Sequence, residues 1–503
     1  MQDARDLGVI ISAQAPLIVV ETHDEKSALE LLQRVARDQQ KALLRWTVTD
    51  GLKASHFGLQ LEQDGEFADP EQVLRHIRDR APPGIYMLCD FHPWIEDQPR
   101  TVRLLKDIAL KHDQGSVTLV LVSHQLSLPP ELSRLAAKFS LSLATNGEIL
   151  AIVKEEARLW AAKNNGNKVR TDSNAISRLA ATLRGLNSGE VRRLVRTAIY
   201  DDGAITDSDI PEINTAKFRL MDMEGVLTYS YEVEDFNSVG GMENLKGWLN
   251  LRKGAFLDTD SSIAVDRPKG VLLLGVQGGG KSLAAKAVAG LWGLPMLRLD
   301  VGALYNKFYG ETERNLREAL QLADQMSPCV LWVDEIEKAI SSGDNDGGVS
   351  QRVLGTLLTW MQERKTSVFM VATANDISRL PAELLRKGRF DEIFFVDLPD
   401  ADVRKDIFAI HLARRDFDAS RFDLEALAAA SEGFSGAEIE QAVVASLYSG
   451  SMSSGAAFDA EETPLTTEAI VAELMATTPL STVMAEKLNG LRNWAAERNV
   501  RSV

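Results

Sequence analysis

One stretch limits what this chain can fold into more than any other: Gly275-Val276-Gln277-Gly278-Gly279-Gly280-Lys281-Ser282. It follows the apolar run Gly270 to Leu274, which reads as a buried strand. It precedes Leu283 to Ala289, which reads as the start of a helix. Strand, glycine loop and helix in that order match the phosphate-binding pattern G-x-x-x-x-G-K-[ST]. Glycines let backbone N–H groups turn inward around phosphate oxygens, where side chains would collide with the ligand. The helix N-terminus adds unpaired donors and partial positive charge. Lys281 is the residue to reach the outer phosphates, and the Ser282 hydroxyl is the one to ligate magnesium. A glycine-rich turn followed by a chance Lys-Ser is the bland alternative, and the flanking strand and helix weigh against it. The expectation is a nucleotide site.

A length of 503 residues suggests roughly three domains. The net charge of −16 argues against blanket nucleic-acid binding, although a local basic patch stays open. Cys89 and Cys329 each sit inside an apolar strand-like run, so no structural disulfide is expected and a reducing, cytoplasmic compartment fits. The apolar run Gly8 to Val20 is broken by Gln14 and Pro16 and is too short to span a bilayer.

Residues 1 to 150 alternate strand-like and helix-like segments. Leu17 to Val20, Ile85 to Cys89 and Val117 to Val122 read as strands. Lys26 to Gln39 shows helical spacing through Leu29, Leu32, Val35 and Ala36. Such alternation predicts a parallel sheet covered on both faces. Residues 151 to 205 read as helices, and 206 to 233, rich in Asp, Pro and Asn, as a linker. The surplus of Arg and Lys between Lys154 and Arg196 reads as a solvated helix face or an intersubunit surface before it reads as a nucleic-acid groove.

The two halves align with each other. Lys26-Ser27 falls on Lys281-Ser282, and Leu88-Cys89-Asp90 on Trp332-Val333-Asp334. Leu128 to Leu132 falls on Leu380 to Leu384, and Gly185 to Val191 on Gly433 to Ile439. The expectation is two copies of one module, the alternative being chance similarity between unrelated α/β domains. In the first copy Glu21, Asp24 and Glu25 put negative charge in place of the loop, Phe91 replaces Glu335, and Ser123-His124 replaces Asn375. That copy is expected to keep the fold and bind no nucleotide.

In the second half, Val330 to Val333 reads as a buried strand ending in Asp334 and Glu335. Behind a phosphate loop this spacing places Asp334 at the magnesium shell and Glu335 beside the attacking water, as general base. Val368 to Ala374 is a further strand, after which Asn375 is either a holder of that water or γ-phosphate, or a turn residue.

Taken together, residues 234 to 503 resemble the AAA+ ATPases, in the AAA branch proper. The motifs are Gly275 to Ser282 (Walker A), Leu331 to Glu335 (Walker B), Asn375 (sensor 1) and Leu380 to Asp391, which resembles the second region of homology. With its two-module layout the whole chain is similar to an uncharacterised AAA family encoded in algal plastids and cyanobacteria. The resemblance implies an α/β phosphate-loop domain over 234 to 400 and a C-terminal helical lid over 401 to 503. The first copy would carry its own lid over 151 to 205. It implies ATP and Mg2+ as cofactors, bound by Val239, Gly240, Gln277, Gly278, Gly279, Gly280, Lys281, Ser282, Leu283, Gly436 and Ala437, with Ser282 and Asp334 serving the metal. Hydrolysis would rest on Glu335 and Asn375, with Arg386 and Arg389 serving a neighbouring subunit's ATP in a homo-hexameric ring. Outside that pattern the two arginines would read as surface ion pairs. Lys307, Phe308 and Tyr309 sit where the family lines its pore, though an aromatic there could equally cover the local core. Asp344 to Gly348 reads as a second pore-facing loop or a solvent loop. For a plastid-encoded member the compartment would be the stroma.

The loop departs from the family, with Val276-Gln277 where Pro-Pro is usual and Gly279-Gly280 where Thr-Gly is usual. The extra glycine makes the loop more flexible and predicts weaker affinity. The lid carries Ala437 and no second-sensor arginine, as in the AAA branch. Two function classes follow: an ATP-driven machine that remodels, disassembles or threads a protein client, or a nucleotide-gated assembly scaffold without threading. A nucleic-acid motor is a weaker third, given the charge.

Overall fold

The computed structural model describes residues 2–54, 67–80, 82–111, 117–221, 226–230, 236, 239–257, 266–305, 311–340, 349–386, 388–454 and 465–503. The chain divides into two units. The first comprises 1–167 and 186–197, the second 168–185 and 198–503.

The first unit is built on six strands: β1 (Leu17–Glu21), β2 (Ala42–Thr47), β3 (Gly51–Ala54), β4 (Gly84–Cys89), β5 (Val117–Ser123) and β6 (Ala136–Phe139). Their order is β3-β2-β4-β5-β1-β6, parallel throughout except for the β2–β3 hairpin. Both faces of the sheet are buried, as the continuous apolar strands require. Leu17, Val19, Tyr86, Leu88, Leu119 and Leu121 enter one core, and Ile18, Val20, Ile85, Met87 and Val120 enter the other. Cys89 is a buried free thiol, as is Cys329 in the second unit. The basic surplus resolves into ion pairs. Arg192 and Arg196 both bond the fully buried Glu156 on the helix Asn146–Lys163, and Arg192 also reaches Glu155. Burial alone would raise the Glu156 pKa, but the two guanidinium groups outweigh it and hold the carboxylate below its ordinary range.

The second unit begins with a short parallel pair, β7 (Arg170–Thr171) and β8 (Ala204–Ile205). Its main sheet holds β9 (Leu227–Ser230), β10 (Gly270–Gly275), β11 (Met296–Leu299), β12 (Cys329–Val333), β13 (Val368–Ala374), β14 (Glu392–Val396) and β15 (Arg501–Ser502). The order is β15-β14-β10-β13-β12-β11-β9. Its two faces are buried in separate cores, Leu272, Leu274, Leu331 and Val333 on one side and Val271, Leu273, Val330 and Trp332 on the other.

The two sheets share one plan. The run β6-β1-β5-β4-β2 has the same sequence-to-space order as β14-β10-β13-β12-β11. The matched segments beyond the sheets agree in detail. Gly185 and Gly433 both adopt left-handed backbone, with φ of 83° and 81°. Each is followed by a capping box. Asn187 and Glu190 exchange side chain–backbone bonds of 2.8 and 2.9 Å, and Ser435 and Glu438 do the same at 3.4 and 2.7 Å.

Two stretches depart from the reading of the sequence. Residues 206–233, read as a linker, hold the helix Asp209–Leu220 and the edge strand β9, which pairs antiparallel with β11. The helix buries Ile210, Ile213, Asn214 and Lys217, a helical face that the polar composition obscures. The C-terminus, read with the lid, returns to the sheet. Leu488, Leu491 and Ala495 enter the core beneath it, and β15 extends β14.

Lys217 is fully buried and donates to the carbonyls of Thr182, Arg184 and Gln325 at 2.8, 2.5 and 2.6 Å. Lys217→Met keeps the volume but removes those donors. A buried acceptor without a donor costs ~1–3 kcal/mol, so the unit loses about 3 kcal/mol or more. Urea denaturation followed by tryptophan fluorescence checks this, and an unchanged midpoint contradicts it.

Candidate functional site

A cleft of about 710 Å³ opens at the C-terminal ends of β10, β12 and β13. Val239, Gly240, Gln277, Gly278, Gly279, Gly280, Lys281, Ser282, Leu283, Asp334, Glu335, Asn375, Gly436 and Ala437 all line it. The topology explains the convergence, since parallel strands carry every loop that leaves their C-terminal ends to one edge of the sheet. Thr373, Ile407, Ile410, His411, Arg414 and Glu440 are also among its lining residues.

The loop itself is built by its glycines. Gly278 and Gly280 have φ of 77° and 86°, values closed to most side chains. A Cβ on Gly278 would also lie 3.0 Å from Ser435 Oγ and 3.4 Å from the Ala437 Cβ, so the loop and the lid meet here. Gly280 caps the helix Lys281–Trp292 with no side-chain bond to its first N–H groups. Lys281 is buried, and its ammonium donates to the carbonyls of Gly275 at 3.0 Å and Val276 at 2.6 Å. Burial lowers its pKa to about 8, against the pull of Glu337, Asp334 and Glu335.

That value fixes a pH dependence. Below it Lys281 carries the charge that attracts phosphate, and above it the amine is neutral. Affinity for Mg-ATP is therefore expected to fall about tenfold from pH 7 to pH 9. Nucleotide titrations across that interval check this; a flat or rising affinity contradicts it.

The polar residues beyond the loop form one network. Thr373 Oγ1 donates to Asp334 Oδ1 at 2.6 Å and accepts from the Glu335 N–H at 2.9 Å. Asn375 Nδ2 donates to Glu335 Oε1 at 2.8 Å, and Lys338 pairs with Glu335 Oε2. Glu335 has left-handed backbone, φ 49°, which turns its side chain off the strand end. Arg298 lies 3.6 Å from Asp334. Glu337 is buried, accepts the Asn375 N–H at 2.9 Å, and has its pKa raised by that burial. Thr373, Lys338, Arg298 and Glu337 went unread in the sequence. The first two had a signal: Thr373 lies two residues before Asn375 on the same strand face, and Lys338 one helical turn after Glu335.

Arg386 and Arg389 stand apart. Neither lines the cleft, Arg386 is exposed, and the Arg389 guanidinium donates to the Glu383 carbonyl. Lys307, Phe308, Tyr309 and the stretch 344–348 lie outside the described residues.

In the first unit the equivalent place is built differently. Only Thr22 and His23 separate β1 from the capping residue Asp24, where Val276 to Gly279 separate β10 from Gly280. The Asp24 carboxylate accepts from the Ser27 N–H at 2.9 Å and the Ser27 hydroxyl at 2.7 Å, placing a fixed negative charge at that helix N-terminus. The shorter loop also shifts the gapless alignment. Helix starts Glu25 and Lys281 correspond, so Lys26 matches Ser282; it is exposed, 3.9 Å from Glu30. Asp90, with φ 50°, has the backbone of Glu335, and Phe91 is a buried core residue packed on Trp46. The position read as Phe91 is therefore Asp90.

Among the described residues no helix is long and apolar enough to cross a membrane. Residues 271–398 match the model of the ATPase family associated with various cellular activities (AAA). Residues 3–141 match the SpoVK-like AAA ATPase N-terminal domain, and 147–224 the second domain of that family, a span that takes in the helix read as linker. The uncharacterized AAA domain-containing protein ycf46 of Trieres chinensis is 33% identical over 504 residues, 99% of this chain and 97% of that protein. Its counterpart in Guillardia theta is 33% identical over 100% of this chain and 96% of that protein. The proteasome-activating nucleotidase of Aeropyrum pernix is 40% identical over 193 residues, 37% of this chain and 47% of that protein.

Proposed function

The chain belongs to the AAA ATPase family, sharing its full-length layout with the ycf46 proteins, and from that premise we propose that it hydrolyses ATP in a ring and uses the energy to remodel a protein client. The observation that carries the reading is the network joining Asp334, Glu335, Thr373 and Asn375 at the rim of the glycine loop. Lys281 and the loop N–H groups would hold the ATP phosphates, and Ser282 and Asp334 would hold Mg2+. When bound, that ion neutralises phosphate charge. Glu335 orients and partly deprotonates the attacking water, and Asn375 fixes the carboxylate that does so. For this to happen the Lys281 ammonium leaves its two loop carbonyls, and Glu335 leaves Lys338.

Arg386 and Arg389 serve the site of an adjoining subunit, which fits their place outside their own cleft. The ring is read as a homo-hexamer. The first unit binds no nucleotide, its phosphate position being taken by the Asp24 carboxylate. Action on protein is supported by the likeness of 193 residues of the chain to a proteasome-activating nucleotidase.

Stimulation of turnover by an unfolded polypeptide tests the client class. A rise of about fivefold or more is expected, the lower end of the coupling seen between linked sites. Ring formation that depends on ATP, with turnover flat across all polypeptides, would favour a nucleotide-gated scaffold instead. Trapping with Glu335→Gln rings then identifies what is bound.

A further inference from the structure

Asp90, His92 and His124 in the first unit each offer a ligand atom, and these atoms all lie within 4.8 Å of one another. The three come from two neighbouring strand ends. Asp90 and His92 follow β4, and His124 follows β5. The strands pair in parallel with Cys89 opposite Val122, and the Asp90 N–H extends that ladder to the Val122 carbonyl at 2.8 Å. The cluster is thus set by the sheet itself.

These are the positions that hold the polar network in the second unit. Asp90 shares the left-handed backbone of Glu335, His92 lies two residues on as Glu337 does, and His124 follows its strand as Asn375 does. In the second unit the three residues offer oxygen and amide groups beside a phosphate loop. In the first they offer two imidazoles and one carboxylate, and the loop beside them is shortened and closed by Asp24. Oxygen-only shells suit Mg2+, whereas two imidazoles with a carboxylate suit a divalent transition metal.

The surroundings favour a built site. The Ser123 hydroxyl lies 2.6 Å from His92 Nδ1, which orients the ring and leaves Nε2 as its open nitrogen. His92 is half-buried, while Asp90 and His124 are exposed and free to close around an ion with bonds of about 2.1 Å. A third imidazole, His23, stacks on His124 with ring centroids 5.7 Å apart. His92 and His124 meet edge to face at 4.7 Å. Ring packing alone would explain those contacts, but not a carboxylate oxygen that lies within 4.8 Å of a nitrogen from both His92 and His124.

We propose that Asp90, His92 and His124 form a binding site for a divalent transition metal of the Zn2+ or Co2+ class, at the position where the first module has lost its nucleotide. Three protein ligands leave at least one coordination position for water or for a group from a partner. Neither nucleotide nor the second unit's chemistry enters the site.

The test uses the full chain, stripped with chelator and free of nucleotide, titrated with Co2+ and then Zn2+. The wild type is expected to bind one equivalent and to show visible Co2+ ligand-field absorption that Zn2+ displaces. Ser123→Ala is expected to weaken binding about tenfold. His92→Ala and His124→Gln weaken it further and abolish the absorption, and Asp334→Asn leaves both unchanged. His124 is exposed, so His124→Gln keeps the test sound if His92→Ala fails to fold by circular dichroism. Absence of stoichiometric binding by the wild type overturns the proposal. So does binding that survives His124→Gln unchanged, or that Asp334→Asn removes.

Discussion

Glu335→Gln is expected to bind ATP as the wild type does and to hydrolyse it at least about tenfold more slowly, whereas Lys281→Ala is expected to lose ATP binding altogether. On the proposed reading the two residues act at different stages. Lys281 would meet phosphate in the ground state, its buried ammonium standing at the start of the helix that follows the glycine loop. Glu335 would act on water as the γ-phosphate departs. A glutamine keeps the 2.8 Å contact to Asn375 and the bond from its own N–H to Thr373, so the site stays assembled while the base is removed. Asn375→Ala should follow Glu335→Gln with a smaller loss, since it frees the carboxylate without deleting it. Fluorescent-nucleotide titration and steady-state phosphate release separate the outcomes. Near wild-type turnover in Glu335→Gln would remove it from the role of base, and ATP binding by Lys281→Ala would remove the lysine from the phosphates.

Arg386→Ala and Arg389→Ala are expected to keep nucleotide affinity and to lose hydrolysis by a factor approaching ~10³, the scale of an arginine supplied to phosphoryl transfer. Neither side chain lines the cleft of its own chain. A planar, permanently charged guanidinium can nonetheless stabilise charge on a phosphoryl group presented by a neighbour. Mixing either variant with Lys281→Ala subunits should restore part of the turnover, because one subunit then supplies the site and the other the arginine. If mixed rings form and no mixture is active, the arginines act within their own chain.

The parts of the site that could be read in the sequence are those whose chemistry is local. The loop, Asp334-Glu335 and Asn375 each combine an apolar strand with polar residues at its end, and such a pattern needs no knowledge of packing. The repeat was legible for the same reason at Gly185 and Gly433, where left-handed glycine and capping box recur together. Its exact register was not. The shortened loop after β1 put Lys26 on Lys281 instead of Ser282, and at the end of β4 the match of Asp90 to Asp334 was one residue out, so Asp90 was passed over for Phe91 until the shared left-handed backbone with Glu335 set the register. The helix Asp209–Leu220 was hidden because its buried face includes Asn214 and Lys217, the latter made tolerable by carbonyls of Thr182, Arg184 and Gln325 that a local pattern does not show. The return of β15 to β14 rests on two residues, too few for any periodic signal.

Phosphate release from Mg-ATP by the full chain, measured against protein concentration, tests the central claim most directly. A single nucleotide site per chain, completed by a neighbour's arginine, predicts turnover per chain that rises as rings assemble and vanishes in Lys281→Ala. Release no greater than that of Lys281→Ala at every concentration would contradict it.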